Sequence, residues 1–128
     1  MKIVQVAIPK RKPGEVLIKT HAAGVNPLDW KSLEAAGVHE GQRVLIHAGA
    51  GGVGSFGVQL AKARGAHVIT TAGPRNIDFV KQELGADEAI DYTSTRFEDV
   101  LKANPVDVVV DPMAGRDPTL CVELIRDV

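Results

Sequence analysis

An α/β fold carried on a parallel sheet of about four strands is what this sequence predicts, and three observations predict it. From Val44 onward, short apolar runs alternate with helix-length amphipathic segments, the pattern left by helices crossing over a parallel sheet. The first such run, Val44-Leu45-Ile46, leads directly into His47-Ala48-Gly49-Ala50-Gly51-Gly52-Val53-Gly54, a stretch too glycine-rich for an ordinary helix or strand. Helix stop signals, Gly65 and Gly85, then recur ahead of the next apolar runs.

Taken in order, the elements begin with a different grammar. Lys2 to Ile8 and Glu15 to Ala22 read as two strands around the Pro9 to Gly14 turn, an antiparallel hairpin. Ser32 to Val38 reads as a short helix leading to the first parallel strand, Val44 to Ala48. Val53, Phe56, Gly57, Leu60 and Ala61 then recur at helical spacing on one face of a helix from Val53 to Arg64, with Gly65 as its left-handed stop. The second strand is His67 to Thr71, followed by a helix capped by Asn76 and running through Ile77, Val80 and Leu84 to Gly85. Glu88 to Asp91 is the third strand, and Thr95 with Glu98 has the capping-box spacing ahead of Val100 and Leu101. Val106 to Asp111 is the fourth, and Asp117-Pro118 opens a last helix whose apolar side holds Cys121. The first and fourth are nearly unbroken apolar runs, as strands buried on both faces are.

Composition removes several function classes. With 45% apolar and 24% charged residues the chain reads as an ordinary globular protein, and with 4% aromatics its core must come from Val, Ile, Leu and Ala. A net charge of −1 gives no general attraction to nucleic acid or anionic membranes, and Lys10-Arg11-Lys12 reads as a solvated turn. No run approaches the ~20 apolar residues of a membrane helix. The lone Cys121 has no internal partner, so a reducing, cytoplasmic setting is expected. His21, His39, His47 and His67 lack ligand spacing, so no metal site is expected.

The glycines form Gly49-x-Gly51-x-x-Gly54 between a predicted strand and a predicted helix, the context in which this spacing marks a Rossmann-like dinucleotide site. On that reading the first glycine makes the tight turn, the second admits a pyrophosphate to the backbone, and the third lets helix and sheet pack closely. The alternative is a tight turn that binds nothing. A P-loop is excluded, because Ser55 and Phe56 stand where Lys is needed. A methyltransferase or an NAD site would place a carboxylate at the end of the second strand. Here Thr70-Thr71-Ala72-Gly73-Pro74-Arg75 carries none. The candidate cofactor-binding residues are therefore Gly49, Gly51, Gly52, Val53, Gly54, Thr71, Ala72 and Arg75. Thr71 can hydrogen-bond a 2′-phosphate and Arg75 can pair with it, so NADPH is expected over NADH; otherwise Arg75 is a solvated residue at a helix start.

Three stretches, "VLIHAGAGGVGSFGVQLAKARGAHVITTAG", "LGADEAIDYT" and "VDVVVDPMAG", closely resemble the cofactor domain of the medium-chain dehydrogenase/reductase superfamily, in its zinc-independent quinone oxidoreductase-like branch. "KPGEVLIKTHAAGVNPLDWK" resembles part of that family's GroES-like catalytic domain. The resemblance implies a partial GroES-like β segment over 1–31 and a partial Rossmann domain over 32–128. It also implies hydride transfer from NADPH to a quinone or α,β-unsaturated carbonyl. Gly51, Gly52 and Val53 match the family's pyrophosphate contacts, and Tyr92 matches a tyrosine beside the adenosine 2′-phosphate. Asn26 stands where zinc-dependent relatives have a metal-binding cysteine, which implies no zinc. It matches a residue near the nicotinamide and substrate in this branch, the one catalytic candidate; by sequence position alone it begins a turn with Pro27.

Set against the family, the chain is expected to lack a block of the catalytic barrel between Lys31 and Ser32 and two further sheet strands beyond Val128. The alternative function is thus a catalytically inactive NADP-binding module, or a deletion fragment, acting through association. Without its usual neighbour the Val106 to Asp111 strand would be an open apolar edge, which predicts a homodimer or higher self-association.

Overall fold

A computed structural model describes Pro13 and residues 36–113. Within them, strands β1 (Arg43–Ile46), β2 (His67–Ala72), β3 (Glu88–Asp91) and β4 (Val108–Val110) form one parallel sheet in the order β3-β2-β1-β4. Val44 is in register with Val68 on one side and Val108 on the other. The chain winds outward from β1 to β3, then returns to place β4 against the free side of β1. Such a reversal leaves a crevice outside the C-terminal ends of the strands.

Both faces of the sheet are covered, which explains why β1 is apolar from Val44 to Ile46. Val44 and Ile46 pack with Val58, Ala61 and Val68 on one face, under helix α1 (Gly52–Ala63). Leu45 packs with Ile69, Ile90 and Val106 on the other, together with Phe97 and Leu101 of helix α2 (Phe97–Leu101). Between β2 and β3 a 3₁₀ turn (Pro74–Asn76) leads into a π-helical segment (Phe79–Glu83) that buries Val80.

The expected parallel sheet and its crossovers are present, and several boundaries move. β1 ends at Ile46 rather than Ala48, because Ala48 turns into the left-handed region at φ 52. β2 gains Ala72. The inward stripe of α1 is Gly54, Gly57, Val58 and Ala61, with Val53, Phe56 and Leu60 only half-buried. Small residues turn inward because the helix backbone itself approaches the preceding loop. Pro74, with its preset φ, begins the next helical segment, and Gly73 rather than Asn76 precedes it. No capping box forms: Arg96 holds the cap position of α2 without a side-chain hydrogen bond, and the buried Phe97 is the first helical residue. β4 is three residues long and half-buried, shorter and less covered than the expected Val106 to Asp111 strand. Gly65 and Gly85 do adopt positive φ, 80 and 85, at the helix ends where left-handed stops are expected. Of the predicted 32–38 helix, the described Ala36 and Gly37 lie in a turn. The N-terminal hairpin strands, Asn26 and the Cys121 helix lie outside the described residues.

Candidate functional site

The turn from β1 to α1 is held by its neighbours. The Ala48 N–H donates to Thr71 Oγ1 at 3.1 Å and the Gly49 N–H to the Thr71 carbonyl at 3.0 Å, so β2 grips two successive amides. The His47 N–H donates to the Val110 carbonyl of β4 at 3.0 Å. Gly51 N–H returns to the Ala48 carbonyl at 2.8 Å, and Ser55 N–H makes the first bond of α1, to Gly51 at 2.9 Å. The amides of Gly52, Val53 and Gly54 therefore head the helix with no carbonyl ahead of them. Gly51, at the cap, supplies no side chain, and no acidic residue lies in the first turn. The positive end of the helix dipole is left open to an anion.

The four glycines divide into two pairs. A Cβ on Gly54 would overlap the Ala48 carbonyl and lie 2.9 Å from Gly49 Cα, so this glycine lets helix and loop touch. A Cβ on Gly49 would overlap the Thr70 hydroxyl, which itself donates to the Ile46 carbonyl at 2.6 Å. The tight turn expected of Gly49 is made instead by Ala48, the non-glycine residue with positive φ among the described residues. Gly51 and Gly52, in contrast, are exposed. A Cβ on Gly51 would lie 3.1 Å from the Ala48 carbonyl, and one on Gly52 would meet nothing within 4 Å.

Beside this loop a cavity of about 240 Å³ is lined by His47, Ala48, Thr71, Tyr92 and Met113. It opens at the C-terminal ends of the strands, in the crevice the strand order creates. Thr71 is buried and its hydroxyl serves the loop, whereas Ala72 is buried at the end of β2. Arg75 is exposed on the 3₁₀ turn just beyond. Tyr92 is half-exposed, and its hydroxyl would lie 3.3 Å from a Cβ on Gly73, which brings the ends of β2 and β3 together. A second cavity of similar size runs along the 92–98 turn. There Asp91 is turned into its own loop: the Thr93 hydroxyl and N–H, followed by the Ser94 hydroxyl, hold its carboxyl below the usual carboxylate range.

The structure thus gathers the glycines, Val53, Thr71 and Tyr92 around one corner, with Ala72 and Arg75 at its β2 side. Sequence reasoning missed His47 and Met113, which line the same cavity. The available signal for His47 was its place immediately after an apolar parallel strand, where ligand crevices form. Met113 carried no such signal. Among the described residues no group of three or more His, Cys, Asp or Glu is placed to hold a metal.

The zinc-binding dehydrogenase family model matches residues 52–127, and the alcohol dehydrogenase GroES-like domain model matches residues 12–88. A trans-enoyl reductase of Aspergillus terreus is 40% identical over 109 residues, covering 83% of this chain and 30% of its own length. A chloroplastic quinone-oxidoreductase homolog of Spinacia oleracea is 51% identical over 63 residues, 49% of this chain and 19% of its own. The quinone oxidoreductase structure from Coxiella burnetii superposes with TM-score 0.71 at 42% identity, over 77% of this chain and 30% of that one. CurA of Vibrio vulnificus in complex with NADPH gives 0.68 at 28% identity, over 77% and 31%. The chain spans at most 31% of the length of these relatives.

Proposed function

We propose, from the premise that the chain belongs to the medium-chain dehydrogenase/reductase superfamily as a quinone oxidoreductase-like member, that it binds NADPH at the β1–α1 corner and serves hydride transfer to a quinone or α,β-unsaturated carbonyl. The carrying observation is the division of the glycines. Packing accounts for Gly49 and Gly54, whereas Gly52 has open space where a side chain would be. A pyrophosphate lying beside Gly51 and against the Gly52 and Val53 amides gives that space an occupant.

On this reading the Ala72 end of β2 borders the adenosine ribose; β2 itself supplies no carboxylate there, and that of Asp91, paired with Ala72 on β3, is tied up by Thr93 and Ser94. Arg75 pairs with that phosphate and the Tyr92 hydroxyl hydrogen-bonds it, since Thr71's hydroxyl is engaged by the loop. The bound nicotinamide supplies the hydride. Asn26, outside the described residues, is proposed to orient the reacting groups. The cytoplasm is the proposed setting, on the ground of the single cysteine; among the described residues no helix is long and apolar enough to cross a membrane.

Calorimetric titration of NADPH and NADH against the parent and Arg75→Ala tests the reading. The parent should prefer NADPH, and the variant should lose about 1–3 kcal/mol of that preference, the scale of a charge-assisted hydrogen bond. Failure of both coenzymes to bind the parent would overturn it. A second reading, an NADP-binding module that works through association, is favoured by β4, which pairs only with β1 among the described residues. NADPH binding without oxidation over a panel of quinones and enones, in a self-associated protein, would select it.

A further inference from the structure

We infer that His47 is a positioning residue for the dinucleotide loop, acting through the Thr71 hydroxyl on the Ala48 amide; the inference rests on the proposed dinucleotide site. Ala48 adopts φ 52, a conformation that costs a side-chain-bearing residue free energy and persists only where neighbours hold it. Its carbonyl is the hub of the turn: it accepts the Gly51 N–H, and the helix passes so close that Gly54 can bear no side chain against it. Ala48's orientation therefore sets where the Gly52 and Val53 amides point.

What holds Ala48 from the β2 side is the Thr71 hydroxyl, which accepts the Ala48 N–H at 3.1 Å. A hydroxyl has one proton and two lone pairs. It presents a lone pair to Ala48 only if its proton is directed elsewhere, and Thr71 is 4% exposed, too buried to donate freely to water. His47 Nδ1 lies 3.1 Å from the same oxygen. With Nδ1 accepting the Thr71 proton, the lone pair faces the loop. His47 is itself immobilised: it is 2% exposed, its ring meets Phe97 edge to face at 4.6 Å, and its N–H is bonded to Val110. The side chain thus ties β2 and α2 to the takeoff of the loop, and the main chain of the same residue ties it to β4.

The test compares His47→Leu with His47→Asn. Both lose the ring contact with Phe97; leucine retains more apolar volume, while asparagine places an acceptor oxygen near the former Nδ1. If His47 orients Thr71, His47→Leu binds NADPH about tenfold more weakly than the parent and His47→Asn recovers most of the loss, although asparagine is the less stable of the two by thermal denaturation. Amide exchange at Ala48, measured without coenzyme, should be faster in His47→Leu than in His47→Asn. Thr71→Val should match His47→Leu, and the double variant should add nothing further. Affinity and exchange that follow melting temperature, with leucine the better substitute, overturn the inference. Absence of NADPH binding by the parent would instead overturn the dinucleotide reading, leaving the Ala48 exchange comparison to decide His47's role.

Discussion

At the N-terminal ends of the strands Lys62 Nζ lies 2.8 Å from both Asp87 oxygens, His67 Nε2 lies 2.7 Å from Glu88, and Arg43 reaches Glu88 at 3.3 Å. At the C-terminal ends Asp91 is tied up in its own loop, and three helix-heading amides face an open corner. The lower end spends its polar groups on itself. Asp87 also accepts the Val68 N–H at 2.7 Å, and Asp107 the Arg43 N–H at 2.7 Å, so the carboxylates extend the strand ladder. The exception among the described residues is Arg43 Nε, buried without a partner. The upper end keeps donors in reserve, which a folded protein tolerates when solvent or a ligand can supply the acceptor. Stability is concentrated at one end of the sheet and recognition at the other.

Gly54→Ala tests that contrast most severely. Its methyl group would collide with main chain, not with a flexible side chain, and should cost about 2–3 kcal/mol in denaturant unfolding as well as abolish NADPH binding. An unchanged melting temperature would show that the helix does not sit on the loop as described.

Asp87→Asn should do the reverse, lowering stability by about 1–2 kcal/mol while leaving coenzyme affinity intact. Burial pushes the Asp87 carboxyl up, but the Lys62 hydrogen bond, the Val68 amide and the charges of Lys62 and His67 together bring it below its ordinary 3.8. As the folded group holds its proton less tightly than the unfolded one, its contribution is full above about 3.8 and disappears as pH falls through the lower folded value. Denaturation followed between neutral pH and pH 3 should show a shallower acid decline in the variant. An equal decline in both proteins would place the acid sensitivity elsewhere.

The smallest stability effect is expected at Gly52. Alanine there meets open space at the start of a helix and should change stability by at most about 1 kcal/mol, in the favourable direction. NADPH affinity should nevertheless fall, because the methyl group would occupy the proposed pyrophosphate position. If Gly52→Ala binds as the parent does, the exposed glycines lose their functional explanation.

The upper end was the more legible of the two in sequence. Glycine spacing after an apolar strand is a local pattern, so the loop, the helix behind it and the absence of an acid from the Thr70 to Arg75 stretch could all be read directly. Arg75 and Tyr92 fall near the ends of β2 and β3 for the same reason. The lower end was opaque, since Lys62 and His67 stand far along the chain from Asp87 and Glu88 and meet them only once helix and strands have packed. His47 belongs to this class as well: its partner Thr71 is in another strand, and nothing local distinguishes it from a core histidine.

From β1 to β4 the amino-acid sequence by itself determined the alternation of strands and helical segments, both left-handed stops and the bare loop, because each depends on a residue's own backbone preferences and those of near neighbours. Only the tertiary structure decided that Ala48 rather than Gly49 takes the left-handed turn, that the small-residue face of α1 points inward, and that Thr71 serves the loop. Those outcomes depend on which atoms of separate elements compete for the same space and the same hydrogen bonds, a competition that begins only when the sheet has closed around them.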